Sequence, residues 1–170
     1  QRFVQGDDAW RRLCVVGLGT MAFGMEDVLL EPYGGEILQL SVASTTLLTA
    51  TLAAGSLLGF IGASHWISRG GHALRVAAWG CVCGLPAFML IILAASMDAS
   101  MDIGQTLFST GTFLIGLGSG LFAHGTLTAS MNLAPKSQVG LAMGAWGAVQ
   151  ATSAGVALVL GGVLRDLMAS

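Results

Sequence analysis

Three carboxylates crowd one short stretch of this chain: Glu26, Asp27 and Glu31, followed directly by Pro32, Tyr33, Gly34 and Gly35. Pro32 disfavours helical geometry at Glu31 and the glycine pair permits a sharp turn, so the pattern predicts a helix that stops near Leu30. Glu26 and Asp27 then occupy its last two turns, about 5 Å below the end. Acidic groups in that position meet the negative end of the helix dipole, so water, a cation, a proton or a partner's donor must stabilise them. Asp27 and Glu31 are four apart and share a face, whereas Glu26 points about 100° from Asp27. Plain solvation of a helix end is the simplest reading; a rim site for a proton, a cation or a partner is the sharper one.

His124 lies deep in an apolar run beside Gly118, Gly120 and Gly125, which leave space around it. An imidazole there could bond a facing helix, relay a proton, or act as axial ligand to the metal of a tetrapyrrole. A packing histidine is the blander expectation. Asn132 and Gln150 read as polar side chains that bond across helices. Cys14, Cys81 and Cys83 sit in apolar stretches without zinc or thioredoxin spacing, so they read as small core residues. No hydrolase triad, phosphate loop or metalloprotease motif is present, which leaves enzymatic chemistry without candidate residues.

The elements that must carry these residues follow from composition. Of 170 residues, 54% are hydrophobic and only 9% charged, against about 25% charged in a soluble domain. Mean hydropathy is +0.78 and there are 25 glycines, as expected of helices packed closely in a bilayer. A net charge of −2 without basic clusters excludes nucleic acid as a partner. Crossing the hydrocarbon takes about 20 helical residues. Uncharged runs of that order predict spans over residues 38–64, 75–97, 103–133 and 137–164, with a fifth over 13–30 if Glu26 and Asp27 lie at its edge.

Arg2, Arg11, Arg12, Arg69, Arg75 and Lys136 then all fall in loops on one side, while the opposite loops hold Glu31, Glu36, Asp98 and Asp102. The positive-inside rule places the N-terminus in the cytoplasm. The expected fold is all-α: a polytopic membrane bundle of five transmembrane helices forming one domain, 1–170, with membrane lipid as its solvent. Five spans and a start at Gln1 read as a portion of a longer chain.

Glycines recur at four-residue spacing in the pairs Gly55 and Gly59, Gly80 and Gly84, Gly116 and Gly120, and Gly140 and Gly144. Each pair makes a groove that lets a neighbouring backbone approach. Helix packing is the expected use, and a groove kept open for a partner helix or a flat pigment is the alternative. Pro86 is expected to kink its span.

The loop from Gly62 to Arg75, with Arg69, Gly70, Gly71 and Arg75, resembles the signature between the second and third helices of each half of major facilitator carriers, although that signature's acidic residue is absent. Phe23-Gly24-Met25, Asp27 to Gly35, Leu40-Ser41-Val42 and Thr45 to Ala50 resemble one branch of that superfamily, the PucC/LhaA or bacteriochlorophyll delivery family. Gly116 to Phe122, Gly125 to Thr128 and Gly140 to Gly147 are similar to the same family. The resemblance implies a twelve-helix protein, of which this chain matches the first five helices of the second six-helix half. It also implies a role in assembling light-harvesting antenna complexes in the bacterial inner, photosynthetic intracytoplasmic membrane, by delivering bacteriochlorophyll or chaperoning antenna polypeptides. In that reading His124 holds the pigment's magnesium, while Trp79 and Trp146 hold pigment or an antenna helix in glycine grooves. The alternative is a proton-coupled secondary transporter of a small molecule with Asp27 or Glu26 as the coupling carboxylate, against which the shortage of midplane charges counts.

Overall fold

The computed structural model describes residues 7–25, 41–96 and 102–169. Five α-helices run through them: α1 (Asp7–Gly24), α2 (Val42–Ser68), α3 (Ala73–Ala95), α4 (Asp102–Leu133) and α5 (Val139–Ala169). A single 3-10 turn, Lys136–Gln138, leads into α5. The last four helices, α5 counted with that turn, are long and apolar enough to cross a membrane. The first begins ahead of the expected span, so Arg11 and Arg12 lie within a helix rather than before it. Residues 26–40, which include Glu26, Asp27, Glu31 and Tyr33, lie outside the described residues. The helix α3 continues past Pro86.

Glycine decides how these rods pack, because lipid supplies no hydrophobic drive between helices and backbone proximity has to replace it. The central rod is α4, the most buried of the spans. On one side its Gly116 and Gly120 meet the carbonyls of Leu52 and Ser56, while Gly55 and Gly59 of α2 meet those of Phe113 and Leu117. Residue numbers rise together on both helices, so α2 and α4 run parallel. On another side Gly111, Gly118 and Gly125 face Ala87, Gly80 and Ala73 of α3. Here the numbers rise on one helix as they fall on the other, so the pair is antiparallel, joined by a seven-residue repeat of small residues. Phe108, Thr112 and Ile115 fill the spaces between these seams and are fully buried.

A second layer is made by α1 and α5. Gly17 of α1 lies against Val149 and Ser153, and Gly24 against Ala154 and Ala157, which makes the two helices parallel. The phenyl ring of Phe122 on α4 covers Gly19, and Phe23 packs against Gly84 and Gly118. Of these, Gly19 is the most crowded, since a Cβ there would run into the Phe122 ring, whereas one on Gly24 would make only ordinary contact with Ala154 and Ala157. On the outer faces of α2 and α3, Leu57, Ile61, Leu85, Met89 and Ile92 are exposed, as lipid-facing residues must be.

The alternation of helix directions gathers Arg11, Arg12, Arg69, Arg75 and Lys136 at one end of the bundle. There α2 closes on a Schellman motif: Gly70 takes a φ of 89°, its N–H donates to Ile67 O at 3.0 Å, and Gly71 N–H donates to Trp66 O at 3.0 Å. The indole of Trp66 lies where a Cβ on Gly71 would be, so both glycines of this turn are structurally required.

Candidate functional site

Thr20, Ser56, Ser119 and Gln150 converge in a cleft of about 300 Å³ where α1, α2, α4 and α5 meet. Its walls are Thr20, Phe23, Leu52, Ser56, Phe60, Ser119, Phe122, Ala123, Gln150 and Ala154, with Gly24 and Gly120. No charged or titratable side chain is among them. Phe23 and Phe122 set one wall, with ring centroids 5.8 Å apart and planes tilted by 44°. The glycine seam between α2 and α4 brings two hydroxyls together: Ser56 Oγ and Ser119 Oγ are 3.3 Å apart. Ser119 also donates its proton to Gly116 O at 2.9 Å, so Ser56 is the donor between them. Thr20, only 9% exposed, holds a buried hydroxyl with no hydrogen-bond partner among the described residues. A buried hydroxyl left unsatisfied costs about 1–3 kcal/mol, so the cleft presents an unspent buried hydroxyl in a neutral, aromatic-walled space. Such a cavity suits an uncharged molecule or chain segment and supplies no acid, base or nucleophile of its own.

The residues whose types stand out in the sequence are distributed by the fold over separate faces. His124 meets Phe60 of α2 edge-on, with ring centroids 5.6 Å apart and planes at 80°. Trp146 of α5 donates from Nε1 to Thr126 Oγ1 of α4 at 3.1 Å, which ties the two layers together. Trp79 stands 52% exposed on the side of α3 away from α4. Arg69 is the C-cap of α2 and Arg75 sits exposed in the first turn of α3. Of the polar residues expected to bond across helices, Gln150 lines the cleft and Asn132 lines a cavity beside Gly70 to Leu74. The residues that sequence reasoning missed are Thr20, Ser56 and Ser119. Their signal was position: Ser56 and Ser119 each adjoin a glycine of a packing pair, so the close approach that the glycines create also brings the hydroxyls together.

The family model described as PUCC protein matches residues 1–170, the whole chain. The chain belongs to the PucC family. Relatives agree: it is 56% identical over 164 residues, 96% of the chain, to "Protein PucC" of Rhodovulum sulfidophilum, and 54% identical over 168 residues, 99% of the chain, to "Protein PucC" of Cereibacter sphaeroides. It is also 30% identical over 158 residues, 89% of the chain, to the "Bacteriochlorophyll synthase 44.5 kDa chain" of Rhodobacter capsulatus. These matches cover 35%, 36% and 35% of the relatives, so this PucC-family chain spans about a third of the length of the curated relatives it matches. No solved structure matches it.

Proposed function

We propose that this chain belongs to a membrane assembly factor for photosynthetic light-harvesting complexes, one that delivers bacteriochlorophyll or chaperones antenna polypeptides within the intracytoplasmic membrane, with the basic end of the bundle in the cytoplasm. The observation that carries the reading is the 56% identity to a PucC protein along nearly the whole chain. The name of the 30% identical relative adds a link to bacteriochlorophyll. The geometry supports lateral traffic in the bilayer better than chemistry on a bound substrate. Among the described residues no titratable group lines the cleft, and no atom lies near the position of an added Cβ at Gly140, Gly144, Gly147 or Gly155 of α5. Pigment and antenna helices are lipid-borne partners, and small-residue faces are what such partners pack against.

The test is to delete the full-length gene in a phototrophic host, restore it with variants, and read antenna absorbance in membranes together with extracted pigment. Restoration by the wild type and failure of Asp27→Asn would support the rim carboxylate as part of the function. Full antenna levels without the gene would overturn the assembly reading. A carrier of a small neutral solute remains the second reading, favoured by the cleft with its unspent Thr20 hydroxyl and with Glu26 or Asp27 as proton-coupling groups. Normal pigment content with antenna loss would favour polypeptide chaperoning over pigment delivery. A solute-uptake defect with intact antennae would favour the carrier.

A further inference from the structure

Between α1, α3 and α4, at the basic end of the bundle, lies a second cavity of about 280 Å³. Arg11 and Arg12 line its mouth, and Val16, Leu74 and Leu133 form the apolar wall. Two hydroxyls reach the same wall, but both are already bonded within the bundle. Thr126 Oγ1 donates to Phe122 O at 2.8 Å and accepts from Trp146, and Ser130 Oγ donates to Thr126 O at 2.9 Å. The wall therefore behaves as hydrocarbon, and the hydrogen-bonding capacity still unspent belongs to the two guanidiniums, with five N–H donors each. No described side chain accepts from them.

Paired guanidiniums over a hydrocarbon wall, at the membrane end where basic residues gather, match an anion carrying an apolar chain. We propose that this cavity is a binding site for an anionic phospholipid, whose phosphate is held by Arg11 and Arg12 while one acyl chain runs along Val16, Leu74 and Leu133. Its volume is just below the range of about 300–1,000 Å³ typical of sites that enclose a small molecule, which fits a chain segment with the headgroup left at the interface. The lipid would wedge α1 against the α3–α4 pair, below the region where Phe122 of α4 covers Gly19 and Phe23 packs against Gly118.

The experiment is native mass spectrometry of the full-length protein in mild detergent, supplied with equal amounts of phosphatidylglycerol and phosphatidylcholine. Wild type should retain phosphatidylglycerol preferentially, and retention should fall about fivefold for each arginine removed in R11Q and R12Q. Leu133→Trp, at a half-exposed position, should lower retention with both arginines intact. Excess inorganic phosphate should fail to displace the lipid. Equal retention of the two lipids would overturn the proposal, as would unchanged retention in monodisperse R11Q/R12Q protein or displacement by inorganic phosphate. If the double variant does not fold, Leu133→Trp decides alone, and unchanged retention there sinks the proposal.

Discussion

Gly80 of α3 and Gly118 of α4 each stand where the other's backbone leaves no room for a side chain. A Cβ on Gly118 would lie 2.7 Å from Gly80 O, and one on Gly80 would lie 2.5 Å from Gly118 O. The obstacle on both sides is backbone, which cannot swing away as a side chain can.

Gly118→Val is therefore expected to destabilise the bundle by about 3 kcal/mol, the upper end of overpacking costs. Gly144→Ala on α5 meets no described atom within 4 Å and should be neutral or stabilising by up to about 1 kcal/mol, because alanine favours a helix over glycine. Thermal unfolding of the full-length protein in detergent, followed by circular dichroism, checks both. Equal losses in the two variants would contradict the packing described for α4. If Gly144→Ala keeps its stability but lowers antenna absorbance, that face of α5 is a working surface.

The Trp146 to Thr126 hydrogen bond joins the outer layer to α4 and offers a second prediction. Interhelical hydrogen bonds in membranes contribute about 0.6 kcal/mol on average. Trp146→Phe and Thr126→Val should each cost that order of stability, and the double variant should cost less than their sum. Strict additivity in a double-mutant cycle would mean that the bond contributes nothing.

Thr20 separates the stability of the fold from the use of the cleft. Thr20→Val keeps the shape and removes a buried hydroxyl that has no described partner, so thermal stability should hold or rise by about 1 kcal/mol. Antenna absorbance should fall if an occupant uses that hydroxyl. A clear loss of stability instead would show that the hydroxyl has a structural partner after all.

The pigment proposal for His124 has its own readout. His124 approaches Phe60 edge-on, a contact that His124→Phe can imitate while abolishing any metal ligation. Pigment extracted from the purified full-length protein should drop to background in His124→Phe and His124→Ala if the imidazole is an axial ligand. Unchanged pigment in both would leave His124 as a packing residue.

Much of the architecture was legible in the residues because the bilayer imposes strong one-dimensional constraints. A span must be long, apolar and helical, so α2, α3, α4 and α5 can be read from charge-free runs, and the gathering of Arg11, Arg12, Arg69, Arg75 and Lys136 at one end follows from their alternation along the chain. The glycine pairs could be read too, as helix faces, but not by partner. Gly55 and Gly116 show the same local pattern as Gly140 and Gly144, yet the first two are filled by facing backbones and the last two meet no described atom.

Only the tertiary structure decided those matters, since a helix's own sequence sets which residues share its face but not which neighbour that face meets. The parallel pairing of α2 with α4 aligned Ser56 with Ser119, and the approach of α1 enclosed Thr20 and placed Arg11 and Arg12 over an apolar wall. His124, Trp79 and Trp146, grouped by residue type in the sequence, belong to three different surroundings for the same reason. Solvent preference acts on each rod separately and can be read along one chain, whereas complementarity between rods exists only once both surfaces are present.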